Sequence, residues 1–185
     1  ELLFKQPESS HLGDCPICMI PMPLNRNISS FMTCCSKTIC NGCAYTNGLR
    51  ERKEKLQHSC PFCRKPVPFT QEQHDKQMMK RVAANDPVAM RRKGTQQYKK
   101  GDYDGALEYY TRAAKLGDLD AKYELACMYE FGKGADKDRV KAIHCLEEAA
   151  IGGHASARHI LGLIEWNGST ERALKHFIIA AKLGD

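Results

Sequence analysis

Eight of the ten cysteines in this 185-residue chain fall into four close pairs: Cys15-Pro-Ile-Cys18, Cys34-Cys35, Cys40-Asn-Gly-Cys43 and Cys60-Pro-Phe-Cys63. A two-residue gap lets two thiolates converge on one ion, and structural zinc takes four such ligands in a tetrahedron, each at about 2.3 Å. Eight ligands therefore call for two Zn2+ ions. With all four positions of each ion filled by protein, no place remains for a reactive water, so the metal is expected to serve folding rather than hydrolysis. A disulfide framework is the competing use of eight cysteines. The two-residue gaps suit a metal better, and residues 1–10 lack the basic-then-apolar order of a secretory signal. A reducing intracellular compartment, cytoplasm or nucleus, is the expectation.

The run from Cys15 to the ending Cys60-Pro-Phe-Cys63-Arg64, with fifteen residues between Cys18 and Cys34, resembles a RING finger in its all-cysteine variant. The usual RING has histidine as fourth ligand, one spacer after the third; Lys37 stands there, so Cys34 and Cys35 are read as third and fourth ligands. Adjacent ligands depart from the family pattern, and His58 or His11 are alternatives to one of them. The family's interleaved arrangement implies Cys15, Cys18, Cys40 and Cys43 on the first zinc, and Cys34, Cys35, Cys60 and Cys63 on the second. Spacing alone equally permits serial sites, with Cys15, Cys18, Cys34 and Cys35 on one ion. A PHD finger would carry tryptophan just before its last cysteine pair, and the single tryptophan is Trp166.

The resemblance implies a RING-type ubiquitin-protein ligase. Such a module docks a ubiquitin-conjugating enzyme and orients its thioester, with no covalent intermediate of its own. The family's docking contacts fall on Ile17 and Pro61, and the arginine that bridges enzyme and ubiquitin falls on Arg64. Thr46 stands where many active members have a bulky apolar residue, leaving Tyr45 and Leu49 of an expected helix over residues 44–55 to fill the gap. The rival reading is a non-catalytic, zinc-binding scaffold or adaptor for a protein or ribonucleoprotein complex.

The elements that must position these residues follow from the flanking sequence. A zinc module of roughly 55 residues with so few apolar residues cannot bury enough surface to fold unaided. Lys65-Pro66-Val67-Pro68 stiffens the chain and ends it. Thr70 with Gln73 is a capping box for a helix running to about Ala84, and Asn85-Asp86-Pro87 breaks that helix and starts the next. Residues 64–93 hold eight basic and three acidic side chains, net +5, which reads as a solvated helix or as a stripe for the phosphates of a nucleic acid.

Beyond Pro87 the chain repeats. Ala113-Ala114-Lys115-Leu116-Gly117-Asp118 recurs 36 residues on at Ala149 and, 31 later, at Ala180. In this register Ala106, Ala142 and Ala173 align, as do Tyr110, Leu146 and Phe177; Ala121 and Leu125 align with Ala157 and Leu161. Such periods signal stacked helical hairpins, with small alanines allowing close approach and glycines ending helices. The five-residue shortening lies between Gly168 and Ala173, in a turn. The unit Ala121-x-x-x-Leu125-x-x-x-Tyr129-x-x-Gly132-x-Gly134, with Asp138, Ala142 and Ala149-Ala150, resembles a Sel1-like repeat, a relative of the tetratricopeptide repeat. The resemblance implies a curved surface for a peptide or protein. Cys127 and Cys145 read as core or seam residues, and His144, His154, His159 and His176 as scattered surface histidines.

The expected fold class is a small two-zinc RING-like α+β module followed by an all-α helical-hairpin solenoid. The domains are residues 1–12, an N-terminal extension; 13–68, the zinc finger; 69–86, a basic linker helix; and 87–185, the repeats, at 87–118, 119–154 and 155–185. This order resembles RING and Sel1 proteins of algae and related protists. With no initial methionine and an end just after a helical pattern, the chain reads as a segment whose repeats continue. At 42% hydrophobic and 27% charged it is neither disordered nor membrane-spanning. Its formal +6 falls to about +2 once eight thiolates and two zinc ions are counted, so the basic excess is local to residues 64–93.

Overall fold

The computed structural model describes residues 2–184, the side chain of Arg26 excepted. It divides into two compact units, one of Leu12–Ala89 and one combining Glu1–His11 with Met90–Asp185.

In the first unit a short 3-10 turn, Arg26–Ile28, leads into strands β1 (Ser29–Met32) and β2 (Lys37–Cys40). They pair antiparallel, Ser29 opposite Cys40 and Met32 opposite Lys37. The turn between them carries Cys34 and Cys35 and closes on Ser36 at φ 55. Helix α1 (Asn41–Lys53) follows directly, three residues earlier at its start than the spacing suggests, because Cys40 caps it. The core is small: Cys15, Met22 and Ile39 are buried, with Leu12, Cys18, Met32, Cys40, Cys43 and Ala44 around them, so four of its nine members are paired cysteines.

Helix α2 (Gln71–Ala83) starts at the predicted cap, Thr70 Oγ1 accepting from Gln73 N at 3.2 Å. Gln73 Oε1 reaches back to Phe69 N, one residue before the cap, at 3.0 Å. The helix is tied to the turn bearing Cys34 and Cys35: Thr33 Oγ1 donates to Gln77 Oε1 at 2.9 Å, and Arg81 Nε donates to Ser36 Oγ at 3.4 Å. Arg81 also pairs with Asp86, whose other oxygen accepts from Ala89 N at 3.1 Å and so caps helix α3 (Pro87–Lys99). Burial opposes the Asp86 charge, yet the Ala89, Arg81 and Ser36 hydrogen bonds hold its carboxyl below the usual range.

The second unit stacks α3 with α4 (Tyr103–Lys115), α5 (Leu119–Phe131) with α6 (Arg139–Ile151), and α7 (Ala155–Glu165) with α8 (Thr170–Lys182). Asp102, Asp118, Asp138, His154 and Ser169 cap successive helices, each accepting from the backbone N–H three residues on. The aligned alanines Ala106, Ala142 and Ala173, like Ala113, Ala149 and Ala180, are buried. Across each hairpin a small residue faces a large one. A Cβ on Gly94 would lie 2.8 Å from two ring carbons of Tyr110, and one on Gly162 would lie 2.6 Å from Phe177. Ala126 and Leu146, at the equivalent register, share one core cluster. Gly134, at φ 69, is required where it is, since a Cβ there would meet the Tyr103 carbonyl oxygen at 2.5 Å. Cys127 and Cys145 are half-buried on helices, as expected of seam residues, and burial raises both thiols.

Two expectations about side chains are corrected. His154 and His176 are not surface residues, being 5% and 0% exposed, whereas His144 and His159 are exposed. His154 takes the capping place that Asp118 fills one repeat earlier, its Nδ1 accepting from Ala157 N at 3.1 Å. The basic excess of residues 64–93 is partly paired internally: Arg81, half-exposed, pairs with Asp86, and Arg91 is buried and paired with Asp118 at 3.0 Å and with Asp120 at 3.2 Å. Among the described residues no helix is long and apolar enough to cross a membrane.

Candidate metal centres and docking surface

Two Cys-x-x-Cys segments form matching backbone loops. Asp14 bridges to Pro21 around the first and Ser59 to Pro66 around the second. In the first, Cys15 N donates to Ile20 O at 2.8 Å and Met19 N to Cys15 O at 2.9 Å; in the second, Cys60 N donates to Lys65 O and Arg64 N to Cys60 O, both at 2.8 Å. Each loop closes on a non-glycine residue in the left-handed region, Met19 at φ 56 and Arg64 at φ 61. That conformation costs of order 1 kcal/mol and persists only where the surroundings impose it. The third Cys-x-x-Cys sits at a helix start: Cys40 caps α1, its Sγ accepting from Cys43 N at 3.4 Å. The positive end of the helix therefore faces two sulfurs.

Folding brings the eight sulfurs into two groups of four, Cys15, Cys18, Cys40 and Cys43 in one and Cys34, Cys35, Cys60 and Cys63 in the other, each group within 4.8 Å. The β1–β2 hairpin explains the partition. Cys34 and Cys35 are at its turn and Cys40 at its base, opposite Ser29, so the two pairs are held at opposite ends. Sulfurs on a zinc tetrahedron with 2.3 Å bonds stand about 3.8 Å apart. The separations are 3.9 Å for Cys15–Cys43, 3.8 Å for Cys18–Cys40, 3.9 Å for Cys35–Cys60 and 3.3 Å for Cys34–Cys63. These are far from the roughly 2.05 Å of a disulfide, and the cysteines are free. The donor sets fit metal ions such as zinc.

The electrostatics point the same way. Burial works against the Cys15 thiolate, but the N–H groups of Cys18, Cys40 and Ile17 outweigh it and hold the group at about 6. Burial and the neighbouring Cys40, Cys18 and Cys15 sulfurs push Cys43 up to about 12. In the second group Cys63 is lowered against burial by the Lys65 N–H and by Cys34, Cys60 and Cys35. Burial and Cys60 lift Cys35 to about 11 despite the Lys37 N–H, and burial with Cys63 and Cys60 raises Cys34 as well. Sulfurs this close resist a second negative charge, and a divalent cation removes that resistance.

His58 and His11 lie outside both groups. His58 Nδ1 is 2.7 Å from Glu51 Oε2. Glu51 Oε1 accepts from Asn47 Nδ2 at 2.8 Å, Ser59 N at 2.9 Å and Ser59 Oγ at 2.8 Å. Burial opposes the Glu51 charge, but the His58, Ser59 and Asn47 hydrogen bonds bring its carboxyl down to about 2. This carboxylate clamps α1 to the Cys60 loop. Sequence reasoning missed it because Glu51-Arg52-Lys53-Glu54-Lys55 reads as a solvated charge run.

Ile17, Pro61 and Arg64 line one shallow depression of about 290 Å³, with Gly42, Cys43, Thr46, Asn47 and Arg50 of α1. Ile17 is 41% exposed. Thr46 faces the depression, whereas Tyr45 and Leu49, both exposed, are not in its lining and leave the gap at Thr46 unfilled.

In the second unit a third set, His11, Asp120 and His154, also comes within 4.8 Å. Its geometry is that of a hydrogen-bonded clasp. The imidazoles stack at 4.2 Å with planes 14° apart, so their in-plane lone pairs cannot converge on one ion, and the Arg91 guanidinium already sits 3.2 Å from Asp120.

Hairpins stacked through alanine seams make the second unit a helical-repeat solenoid. Residues 87–118, 119–154 and 155–185 match the model of the Sel1 repeat, and the chain belongs to the Sel1 repeat family. It is similar to DAP3-binding cell death enhancer 1 of Rattus norvegicus, at 30% identity over 50% of this chain and 26% of the relative, and to that of Mus musculus, at 38% identity with the same coverage. The chain thus spans about a quarter of the length of these curated relatives. Among solved structures, a Sel1 repeat protein from Oxalobacter formigenes matches with a TM-score of 0.59 and 30% identity, over 64% of this chain and 52% of that one.

Proposed function

We propose that the chain joins a zinc-folded, RING-type docking module to a partner-binding Sel1 solenoid, and that it acts as a ubiquitin-protein ligase. Cys15, Cys18, Cys40 and Cys43 would hold one zinc ion, and Cys34, Cys35, Cys60 and Cys63 the other. The metal supplies fold stability and takes no part in group transfer. The observation that carries the reading is the convergence of Ile17, Pro61 and Arg64 on one depression beside the first cysteine group. In it, Ile17 and Pro61 offer apolar contact to a ubiquitin-conjugating enzyme. The Arg64 guanidinium, exposed on a strained backbone position, offers a planar fork that restricts the conjugated ubiquitin. The repeats select the substrate or assemble the complex.

Thr46 favours a second reading, a scaffold that binds partners without transferring ubiquitin, because it withdraws apolar area from the depression. A discharge assay with a panel of ubiquitin-loaded conjugating enzymes separates the two. The ligase reading expects discharge above the enzyme-only background, reduced by Ile17→Ala and by Arg64→Ala while zinc content is unchanged. Wild-type discharge equal to background leaves only the scaffold.

A further inference from the structure

Residues 2–11 cross the repeats as a strap. Leu3 packs against the core cluster of Ala126, Leu146 and Leu161. The Phe4 ring lies 4.9 Å from His176, with the Arg172 guanidinium 5.1 Å and the Lys175 ammonium 5.8 Å from its centroid. The far end is held by His11, whose N–H donates to Gly153 O at 3.1 Å and whose Nε2 is 3.0 Å from Asp120 Oδ1. Gly153 makes room for it: a Cβ there would lie 2.8 Å from the Ser9 carbonyl oxygen.

The surface beneath suits a different occupant. Arg158 is 0% exposed, and among the described residues no carboxylate pairs with it. Its Nη1 donates to the Leu3 carbonyl and its Nη2 to the Ala150 carbonyl at 2.7 Å, while Nε has no partner. His176, also 0% exposed, has both ring nitrogens without a hydrogen-bond partner, Glu165 standing off at 3.7 Å and already committed to Arg172 at 2.8 and 2.9 Å. A buried guanidinium that meets only neutral carbonyls is poorly compensated, and an anionic oxygen on it makes a stronger, charge-assisted bond. Over this surface residues 2–4 supply apolar side chains and no anion, the strap's carboxylate Glu8 being exposed, and Leu2 stays 69% exposed.

We propose that this face of α6, α7 and α8 is a peptide-binding site, that the strap is its built-in occupant, and that the partner it fits is a peptide whose leucine-like side chain is followed by a carboxylate. The ligand seats its apolar side chain where Leu3 lies and its carboxylate on Arg158, displacing residues 2–4. Tethering gives the strap an effective concentration near the millimolar range, so an external peptide displaces it only through the extra charge-assisted contact. The inference deepens the reading of the repeats as a partner-binding surface and is independent of the cysteine unit. Peptide binding reports on the repeats alone and ubiquitin discharge on the cysteine unit alone, so either can fail without the other.

The test titrates the full chain, and its Phe4→Ala/His11→Ala variant, into fluorescein-labelled Gly-Glu-Leu-Leu bearing either a free C-terminal carboxylate or an amide. The free acid binds the variant about tenfold or more tighter than it binds wild type, and the amide is weaker than the acid by a similar factor. In wild type, millimolar acid peptide raises hydrogen–deuterium exchange at residues 2–11. Equal affinity for acid and amide overturns the proposal, as does equal affinity of variant and wild type. Should the variant lose its helical circular dichroism, wild-type exchange decides alone: no rise with the acid peptide overturns the proposal.

Discussion

Gly94→Ala sets helix propensity against packing, and the structure says which wins. Alanine is better than glycine inside a helix by about 1 kcal/mol. Here the added Cβ would lie 2.8 Å from Cδ1 and Cε1 of Tyr110 and 3.3 Å from the Ala106 carbonyl oxygen. The ring cannot swing aside, being 1% exposed with its hydroxyl donating to Thr95 Oγ1 at 3.2 Å. Overpacking of this kind costs roughly 1–3 kcal/mol, so the net expectation is destabilisation by about 1 kcal/mol. In a Tyr110→Leu background the ring contact is gone and only the 3.3 Å approach to the Ala106 carbonyl remains, which matches the pairing of Ala126 with Leu146 one repeat on. There the substitution stabilises by about 1 kcal/mol, a coupling energy near 2 kcal/mol. Urea unfolding followed by the fluorescence of the single tryptophan, Trp166, reads the repeat unit directly. Stabilisation in the wild-type background, or the same change in both, refutes the seam argument.

Two further outcomes concern the cysteine unit. Glu51→Gln weakens the clamp on the Cys60 loop and destabilises that unit by about 2–4 kcal/mol at neutral pH. Because folding moves this carboxyl from 4.5 to about 2, its contribution is present above pH 4.5 and lost as pH falls toward 2, so denaturant melts of wild type and variant draw together below pH 4.5. A zinc chelator unfolds Leu12–Ala89 while α4 to α8 persist, seen as exchange of amide protons confined to the first unit; protection unchanged by chelation contradicts a metal-dependent core.

The repeats were legible because their signal is local and redundant: alanines at fixed register, at least one glycine at each turn, and a cap before most helices. The capping box at Thr70 and the break at Asn85-Asp86-Pro87 are equally local. What escaped depends on partners distant in sequence. Glu51 is buried by His58 and Ser59, Arg91 by Asp118 and Asp120, and Arg158 by the strap 155 residues away, and none of these charges differs in sequence from a solvated one. His154 could have been suspected, since it occupies the register of the capping Asp118. For the cysteines, spacing named eight candidates and left their division open, because hairpin pairing, which separates Cys34 and Cys35 from Cys40, is a tertiary fact.

The central claim is that these eight cysteines form two interleaved four-sulfur metal centres. Exchanging the metal for cadmium-113 and correlating each cadmium resonance with cysteine β-protons tests it most directly. The account predicts two resonances, one coupled to Cys15, Cys18, Cys40 and Cys43 and the other to Cys34, Cys35, Cys60 and Cys63. A resonance coupled to Cys15, Cys18, Cys34 and Cys35 together, or one coupled to His58 or His11 in place of a cysteine, would contradict it.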